Sequence, residues 1–129
     1  MKTIFITPLV LLSLVSFPSW AMEFQCASST YMDCGGGNCR ALNSKVNLTV
    51  DLEEKMVMRE TQKNSRDFMS VKNAWSRDNN NSFYVLYEDT NSHGFVVLNR
   101  LSGEVFDFVD TLYTNLGGWV SSGECRRKK

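Results

Sequence analysis

The first candidates for chemistry in this chain are a single histidine and four cysteines. A catalytic cysteine or serine needs a base beside it that removes its proton. The only histidine, His93, lies in the turn-forming segment Asn91-Ser92-His93-Gly94, and a lone histidine in such a turn is typical of a solvated surface residue. The cysteines are expected to be oxidised, which removes a thiolate nucleophile. The sequence therefore predicts no catalytic residue and a protein that is not an enzyme.

The same residue types do not form a metal site. Cys34, Cys39 and His93 do not make the C-x₂₋₄-C…H-x₃₋₅-H arrangement of a structural zinc site. The segment Asp78-Asn79-Asn80-Asn81 is rich in oxygen donors, but it lacks the spaced ligands and the terminal glutamate of a calcium loop. We therefore expect neither a metal ion nor another cofactor.

Carboxylates are the remaining candidates, because paired carboxylates hydrolyse glycosidic bonds. Asp107 lies between two phenylalanines on a predicted strand, and Glu104 precedes it. An inward-pointing Asp107 would have a raised pKa, as a general acid requires. The strand alternation instead places it opposite Phe106 and Phe108, beside Arg100, as a solvated carboxylate. Hydrolysis of cell-wall carbohydrate is therefore the least favoured of three functions.

The beginning of the chain predicts export. A positively charged start is followed by an apolar run from Ile4 to Phe17 and by small residues at Ser19 and Ala21. This is the pattern of a secretory signal peptide that is cleaved after Ala21. The predicted organisation is a signal peptide over residues 1–21 and a single secreted β-domain over residues 22–129. We expect the mature protein to be periplasmic or extracellular, without stable membrane insertion.

Charge gives no reason to expect nucleic acid as a partner. Residues 22–129 contain 13 basic and 14 acidic side chains, because Lys2 belongs to the signal peptide. The net charge of −1 and the scattered signs do not favour a polyanion. The basic tail Arg126–Lys129 is interpreted as a solvated chain end.

Four cysteines in a small exported domain predict two disulfides. Cys34 and Cys39 enclose the tight loop Gly35–Asn38, and Cys26 and Cys125 lie near the two ends of the domain. We favour Cys34–Cys39 and Cys26–Cys125, although a pairing of Cys26 with Cys34 or Cys39 remains open. The long bridge would close about a hundred residues and contribute on the order of 4–5 kcal/mol.

The domain reads as short strands separated by turn-forming clusters. Residues 45–52 alternate cleanly between apolar and polar side chains, and the stretch 83–109 contains three apolar runs separated by two turns. About seven strands and no helical period predict an all-β fold, a small antiparallel barrel or sandwich in meander order. Glu23–Cys26 is expected to be a short strand, followed by a loop over residues 27–40.

Two expectations concern which side chains share a face. A tight turn at Ser102-Gly103 predicts that Phe95 and Val97 face the core together with Phe106 and Phe108. The opposite face then carries a mixed set: Val96, Leu98, Arg100, Asp107 and Val109. In the strand over residues 68–75, simple alternation places Met69, Val71 and Trp75 on one face.

One short segment is similar to a known family. Ser102-Gly103-Glu104-Val105-Phe106 resembles the Ser-Gly-x-x-Tyr loop motif of small periplasmic lysozyme inhibitors, which are compact β-barrels with a disulfide. The likeness covers five residues and has Phe106 in place of the tyrosine. The second, lysine-bearing loop motif of that family has no counterpart around Tyr113–Gly118. The resemblance implies only a small barrel that binds another protein.

The sequence therefore favours a non-enzymatic exported protein that acts by binding another protein, as an inhibitor, an immunity factor or an envelope accessory factor, and that is a monomer or small oligomer. The candidate partner-binding residues lie in loops: Asn38, Asn91, His93, Ser102 and Gly103. The alternative is a barrel that holds a small apolar ligand in a cavity lined by Met56, Met58, Phe68, Met69, Trp75 and Phe83.

Overall fold

The computed structural model describes residues 21–61 and 65–128. The predicted signal peptide lies outside the described residues except for Ala21, so its cleavage site stays a prediction. The described residues form nine strands and a short 3₁₀ helix at Gly35–Gly37. The strands are β1 (Glu23–Asp33), β2 (Arg40–Ala41), β3 (Val46–Asp51), β4 (Met56–Thr61), β5 (Arg66–Arg77), β6 (Ser82–Glu88), β7 (Ser92–Ser102), β8 (Val105–Thr114) and β9 (Gly117–Lys128).

The strands close into an antiparallel barrel. Each strand from β3 to β9 pairs with the next, and β1 pairs with both β3 and β9, so that eight strands form a ring. Strand β2 pairs only with the end of β1. The predicted all-β antiparallel fold is confirmed, as a barrel rather than a sandwich. The eighth barrel strand is β1, which continues through residues 27–33 where a loop was expected.

The closing pair β1–β9 depends on a glycine. A Cβ atom at Gly123 would lie 2.2 Å from the carbonyl oxygen of Ala27 and 2.8 Å from the amide nitrogen of Ser29. These are backbone atoms next to a β-bulge between Ser28 and Thr30, so they cannot move aside as a flexible side chain would. Glycine therefore permits the close approach that joins the last strand to the first.

Aromatic rings fill the half of the barrel in which β3, β5, β7 and β9 finish, which we call the lower end. Phe24, Phe83 and Phe106 are fully buried, and their ring centroids lie 5.0–5.9 Å apart. The side chains that point inward from the strands surround these rings, because successive side chains of a strand alternate between its two faces. The guanidinium of Arg100 covers the ring of Phe106 at 4.7 Å and closes this end.

The predicted sharing of faces in the β7–β8 hairpin is wrong. Leu98, not Phe95 or Val97, faces the core beside Phe108. The cause is a β-bulge at Leu101, which has no partner in the β7–β8 register. One extra residue shifts the register by one and reverses every side chain of one strand relative to the other. The predicted mixed face is accordingly split: Val96 and Leu98 lie in the core and Arg100 covers it, whereas Asp107 and Val109 lie on the outer surface.

The same mechanism overturns part of the predicted face of β5, since Met69 and Val71 both pack into the core but Trp75 does not share their face. A bulge at Lys72 interrupts the pairing of β5 with β6. Met69 and Ala74 are buried on either side of it, and Trp75 consequently points outward. Simple alternation places Met69 and Trp75 on one face because it does not account for this extra residue.

Both favoured disulfides are confirmed. Cys26 and Cys125 are direct cross-strand partners on β1 and β9, and Cys34–Cys39 encloses the 3₁₀ helix. Two disulfides are typical of proteins that fold in an oxidising compartment. Among the described residues, no helix has the length and apolar character needed to cross a membrane.

The two bridges are expected to differ in their contribution to stability. Cys26 and Cys125 are 99 residues apart and Cys34 and Cys39 are 5 apart, which corresponds to about 5 and about 2 kcal/mol in the chain-entropy model. Urea unfolding of the Cys26→Ser/Cys125→Ser variant should show the larger loss of unfolding free energy, with Cys34→Ser/Cys39→Ser as the matched control. Equal losses would contradict a closing role for the long bridge.

Candidate functional site

The predicted partner-binding residues lie at opposite ends of the barrel. Asn38, Asn91 and His93 are at the upper end, where β1, β4, β6 and β8 finish, and Ser102 and Gly103 are at the lower end. All five are exposed or partly exposed. The 11 residues of β7 separate the two sets, a distance of about 30 Å. Their role in binding stays a prediction, and the structure does not bring them together as one site.

His93 and the predicted carboxylates have separate surroundings. The His93 imidazole is largely exposed, with Nδ1 3.6 Å from an oxygen of Glu88. Asp107 lies on the outer surface across from Asn99 on β7, so the expected position beside Arg100 is wrong, because Arg100 points to the barrel interior. Glu104 accepts hydrogen bonds from Nε and Nη2 of Arg127, both at 2.7 Å, and these bonds raise the pKa of Arg127.

An aromatic and aliphatic surface on the outside of the barrel is the first feature that the sequence did not reveal. Trp75, Tyr84 and Phe95 lie on three adjacent strands with nearly parallel rings and centroids 5.5–6.4 Å apart. We call the outer aromatic face the set that these rings form with their cross-strand neighbours: Trp75, Tyr84, Leu86, Phe95, Val97 and Val109.

The outer aromatic face is accessible to solvent. Leu86 and Val109 are 36% and 49% exposed, and the rings of Trp75, Tyr84 and Phe95 are partly exposed. The face exists because the bulges at Lys72 and Leu101 turn Trp75 and Phe95 away from the faces predicted for them. Sequence alternation could identify it only if the two bulges were known.

A buried polar cluster in the upper half of the barrel is the second such feature. The Tyr87 hydroxyl donates a hydrogen bond of 2.6 Å to Oδ1 of Asp110. The other carboxylate oxygen, Oδ2, lies 3.6 Å from Nε of Arg59. All three side chains are at most 5% exposed. Among the described residues, neither Arg59 Nε nor Asp110 Oδ2 has a hydrogen-bond partner, and the same holds for Oγ of the buried Ser121.

A glycine makes room for this cluster. Gly94 on β7 is the cross-strand partner of Tyr87 on β6, and a Cβ atom at Gly94 would lie 2.0 Å from the Tyr87 ring. The ring therefore packs against bare backbone, which places its hydroxyl at Asp110. From the sequence alone, His93-Gly94 is expected to be part of a turn, although a glycine within a strand often marks such a close approach.

Burial is the largest influence on the pKa values of the cluster. Removal from water raises the pKa of Asp110, and the Arg59 charge and the Tyr87 hydrogen bond only partly oppose this effect. Burial, reinforced by the Asp110 charge, also raises the pKa of Tyr87. Tyr31, on β1, lies close enough to feel the charges of both Arg59 and Asp110, and burial raises its pKa as well.

Arg59 lines a pocket of about 270 Å³ that opens at the upper end, which we call the upper cavity. Exposed carboxylates of Asp67 and Asp89 belong to its lining, and Arg59 is its most deeply buried charge. The remaining lining consists of hydroxyl-bearing and apolar side chains: Tyr31, Thr61, Ser92, Thr114, Met69, Leu112 and Trp119.

The upper cavity differs from the cavity that the sequence suggested. Of the six predicted lining residues, only Met69 contributes to it. Phe83 is in the filled core, Trp75 is on the outer surface and Phe68 is 56% exposed. Met58 borders a wider, open groove of about 590 Å³ on the outside of β1, β3, β4 and β9.

Comparison with known proteins adds no family: neither the protein-family models nor the curated proteins give a match to this chain. The function proposed below therefore rests on the barrel fold, the outer aromatic face and the buried polar cluster.

Removing the Tyr87 hydroxyl is expected to destabilise the barrel. Tyr87→Phe would leave Asp110 Oδ1 without its buried donor, which should lower the unfolding free energy by about 1–3 kcal/mol. Tyr84→Phe is the matched control, because Tyr84 is on the outer surface, and we expect a change below about 0.5 kcal/mol. Chemical denaturation at neutral pH measures both; equal effects would show that the buried hydrogen bond has no special weight.

The raised pKa of Asp110 predicts a pH dependence of stability. A carboxyl whose folded pKa exceeds its unfolded value of about 4 binds protons more tightly when folded, so its stabilising contribution is complete below pH 4 and is lost as pH rises to the folded pKa. Unfolding free energies of the wild type and of Asp110→Asn should be compared from pH 4 upward. The wild type is expected to lose stability relative to the variant; a relative gain would mean that Arg59 lowers the pKa more than burial raises it.

Proposed function

We propose that this chain is an exported, non-enzymatic β-barrel that acts by binding another protein, as an inhibitor, an immunity factor or an envelope accessory factor. The outer aromatic face is the observation that supports this proposal most strongly. Its rings are not part of the barrel core, which is already filled by Phe24, Phe83, Phe106 and their neighbours. The two disulfides fit an exported protein.

The chemistry of the face suits protein recognition. Tryptophan, tyrosine and arginine dominate the binding energy of protein interfaces, and the guanidinium of Arg77 lies 6.0 Å from the Tyr84 ring centroid at the border of this face. The stacked rings of Trp75, Tyr84 and Phe95 restrict one another before a partner arrives. Less side-chain entropy is then lost on binding.

The outer aromatic face also lies between loops that the sequence predicts to bind a partner. Phe95 and Val97 lie on β7 between His93 at its upper end and Ser102-Gly103 at its lower end. A partner on this side of the barrel would contact the rings centrally and one of these turns at the rim. Because the ring of eight strands is closed, the partner would bind through side chains rather than by adding a strand to the barrel.

Site-specific crosslinking tests the proposal. A photoreactive phenylalanine analogue replaces Leu86, which is at the border of the rings, in cells of the natural source, and the same analogue replaces Phe68 as a control at an exposed aromatic position away from the face. We expect one protein to be crosslinked from position 86 and not from position 68, and the same adduct should be lost when Trp75→Ala is added.

The affinity of the purified pair should then depend on the rings. Trp75→Ala is expected to weaken binding by at least about tenfold, in the range of interface hot spots, whereas Phe68→Ala should leave the affinity within about twofold. Calorimetric titration measures both, and thermal unfolding confirms that each variant is folded. Crosslinking that is equal from both positions, or an affinity that Trp75→Ala leaves intact, would overturn the proposal.

A further inference from the structure

The upper cavity is independent of the outer aromatic face, and its charges are separated by depth. Arg59 is 5% exposed and its Nε has no hydrogen-bond partner among the described residues. Asp67 and Asp89 line the same cavity with exposed side chains. Among the residues that the structure describes, the cavity thus has one cationic group at its floor and two carboxylates at its opening.

The Arg59 guanidinium is incompletely paired. An arginine has five N–H donors and favours two parallel hydrogen bonds to one carboxylate. Asp110 does not provide them, because its Oδ2 is 3.6 Å from Nε and its Oδ1 is occupied by Tyr87. Because Nε itself is buried, a carboxylate that entered from the cavity would be bound by the Nη1 and Nη2 donors of Arg59, which lines it.

The opening selects against a simple anion. Asp67 is the cross-strand partner of Arg59, and Asp89 follows the end of β6, the strand next to β5, and lines the same opening. A simple anion would be repelled by both of these carboxylates, with a strength that solvent reduces because their side chains are exposed. A simple cation would meet the opposite obstacle at Arg59. A molecule with a carboxylate and an ammonium group next to each other would pair its carboxylate with Arg59 and its ammonium group with the two aspartates.

The walls and the size define the rest of the ligand. Met69, Leu112 and Trp119 offer apolar surface beside the charged groups, which suits a hydrocarbon or aromatic side chain. A volume of about 270 Å³ corresponds to about nine water molecules. The ligand is therefore small.

We propose that the upper cavity binds a free α-amino acid with an apolar side chain, with the carboxylate on Arg59, the ammonium group towards Asp67 and Asp89, and the side chain against Leu112 and Trp119. This site holds a soluble small molecule and does not depend on the partner proposed for the outer aromatic face.

Calorimetric titration with four probes tests the charge requirement on the full chain. Leucine and phenylalanine carry both charges, N-acetyl-leucine carries only the carboxylate, and leucine amide carries only the ammonium group. We expect leucine or phenylalanine to bind at least tenfold more tightly than either blocked probe. Failure of both amino acids to bind, or equal binding of a blocked probe, would overturn the proposal.

Two rim variants test the location without disturbing the core. Asp67→Asn removes one exposed carboxylate of the cavity, so amino-acid affinity should fall at least fivefold while the preference over N-acetyl-leucine shrinks. Glu60→Gln is the matched control, because Glu60 is on the adjacent strand with its side chain on the outer surface, where it pairs with Arg66 at 2.9 Å. An unchanged affinity in Asp67→Asn, or an equal loss in Glu60→Gln, would place the binding elsewhere and refute the site.

Discussion

The rest of this structure depends on the pairing of β1 with β9. Without that pairing, β1 and β9 would have open edges and the inward faces of the strands would meet solvent. Three local features secure it: the Cys26–Cys125 bridge between direct cross-strand partners, the bulge between Ser28 and Thr30, and the absence of a side chain at Gly123. The bridge and the glycine act on the same two strands, so a covalent link fixes the register that the close backbone approach requires.

Closure also explains why bulges have such large consequences here. In a closed barrel every strand has one buried and one solvated face, and a one-residue insertion exchanges them. The bulges at Lys72 and Leu101 each put an aromatic residue outside, Trp75 and Phe95. The one strand between them, β6, contributes Tyr84, which joins these rings into one stack. The outer aromatic face is therefore a product of the same backbone irregularities that let the strands coil around the core.

The all-β antiparallel class, most strand positions and both favoured disulfides could be predicted, because alternation, turn residues and cysteine spacing are local or nearly local signals. The choice of a barrel over a sandwich could not, because it depends on the pairing of β1 with β9. The relative faces of β5 to β8 could not, since a bulge depends on tertiary pairing and leaves no single residue type as a sign. The sequence does not identify Arg59 and Asp110 as buried, for a related reason. Arg59 continues the inward alternation of Val57, and Asp110 that of Phe106 and Phe108, but a charged residue at the end of an apolar strand is more often solvated.

A gain in stability does not by itself account for the buried polar cluster. Replacing a buried ion pair by apolar side chains of similar volume is often neutral or stabilising, and an apolar pair at positions 59 and 110 would spare the desolvation of two charges. The cluster also depends on Gly94, because only a residue without a side chain leaves space for the Tyr87 ring that holds Asp110 in place. Because Asp110 Oδ2 lies 3.6 Å from Arg59 Nε and makes no hydrogen bond to it, Arg59 remains under-coordinated beside an open cavity. This arrangement has a physical rationale if a bound molecule accepts hydrogen bonds from the guanidinium.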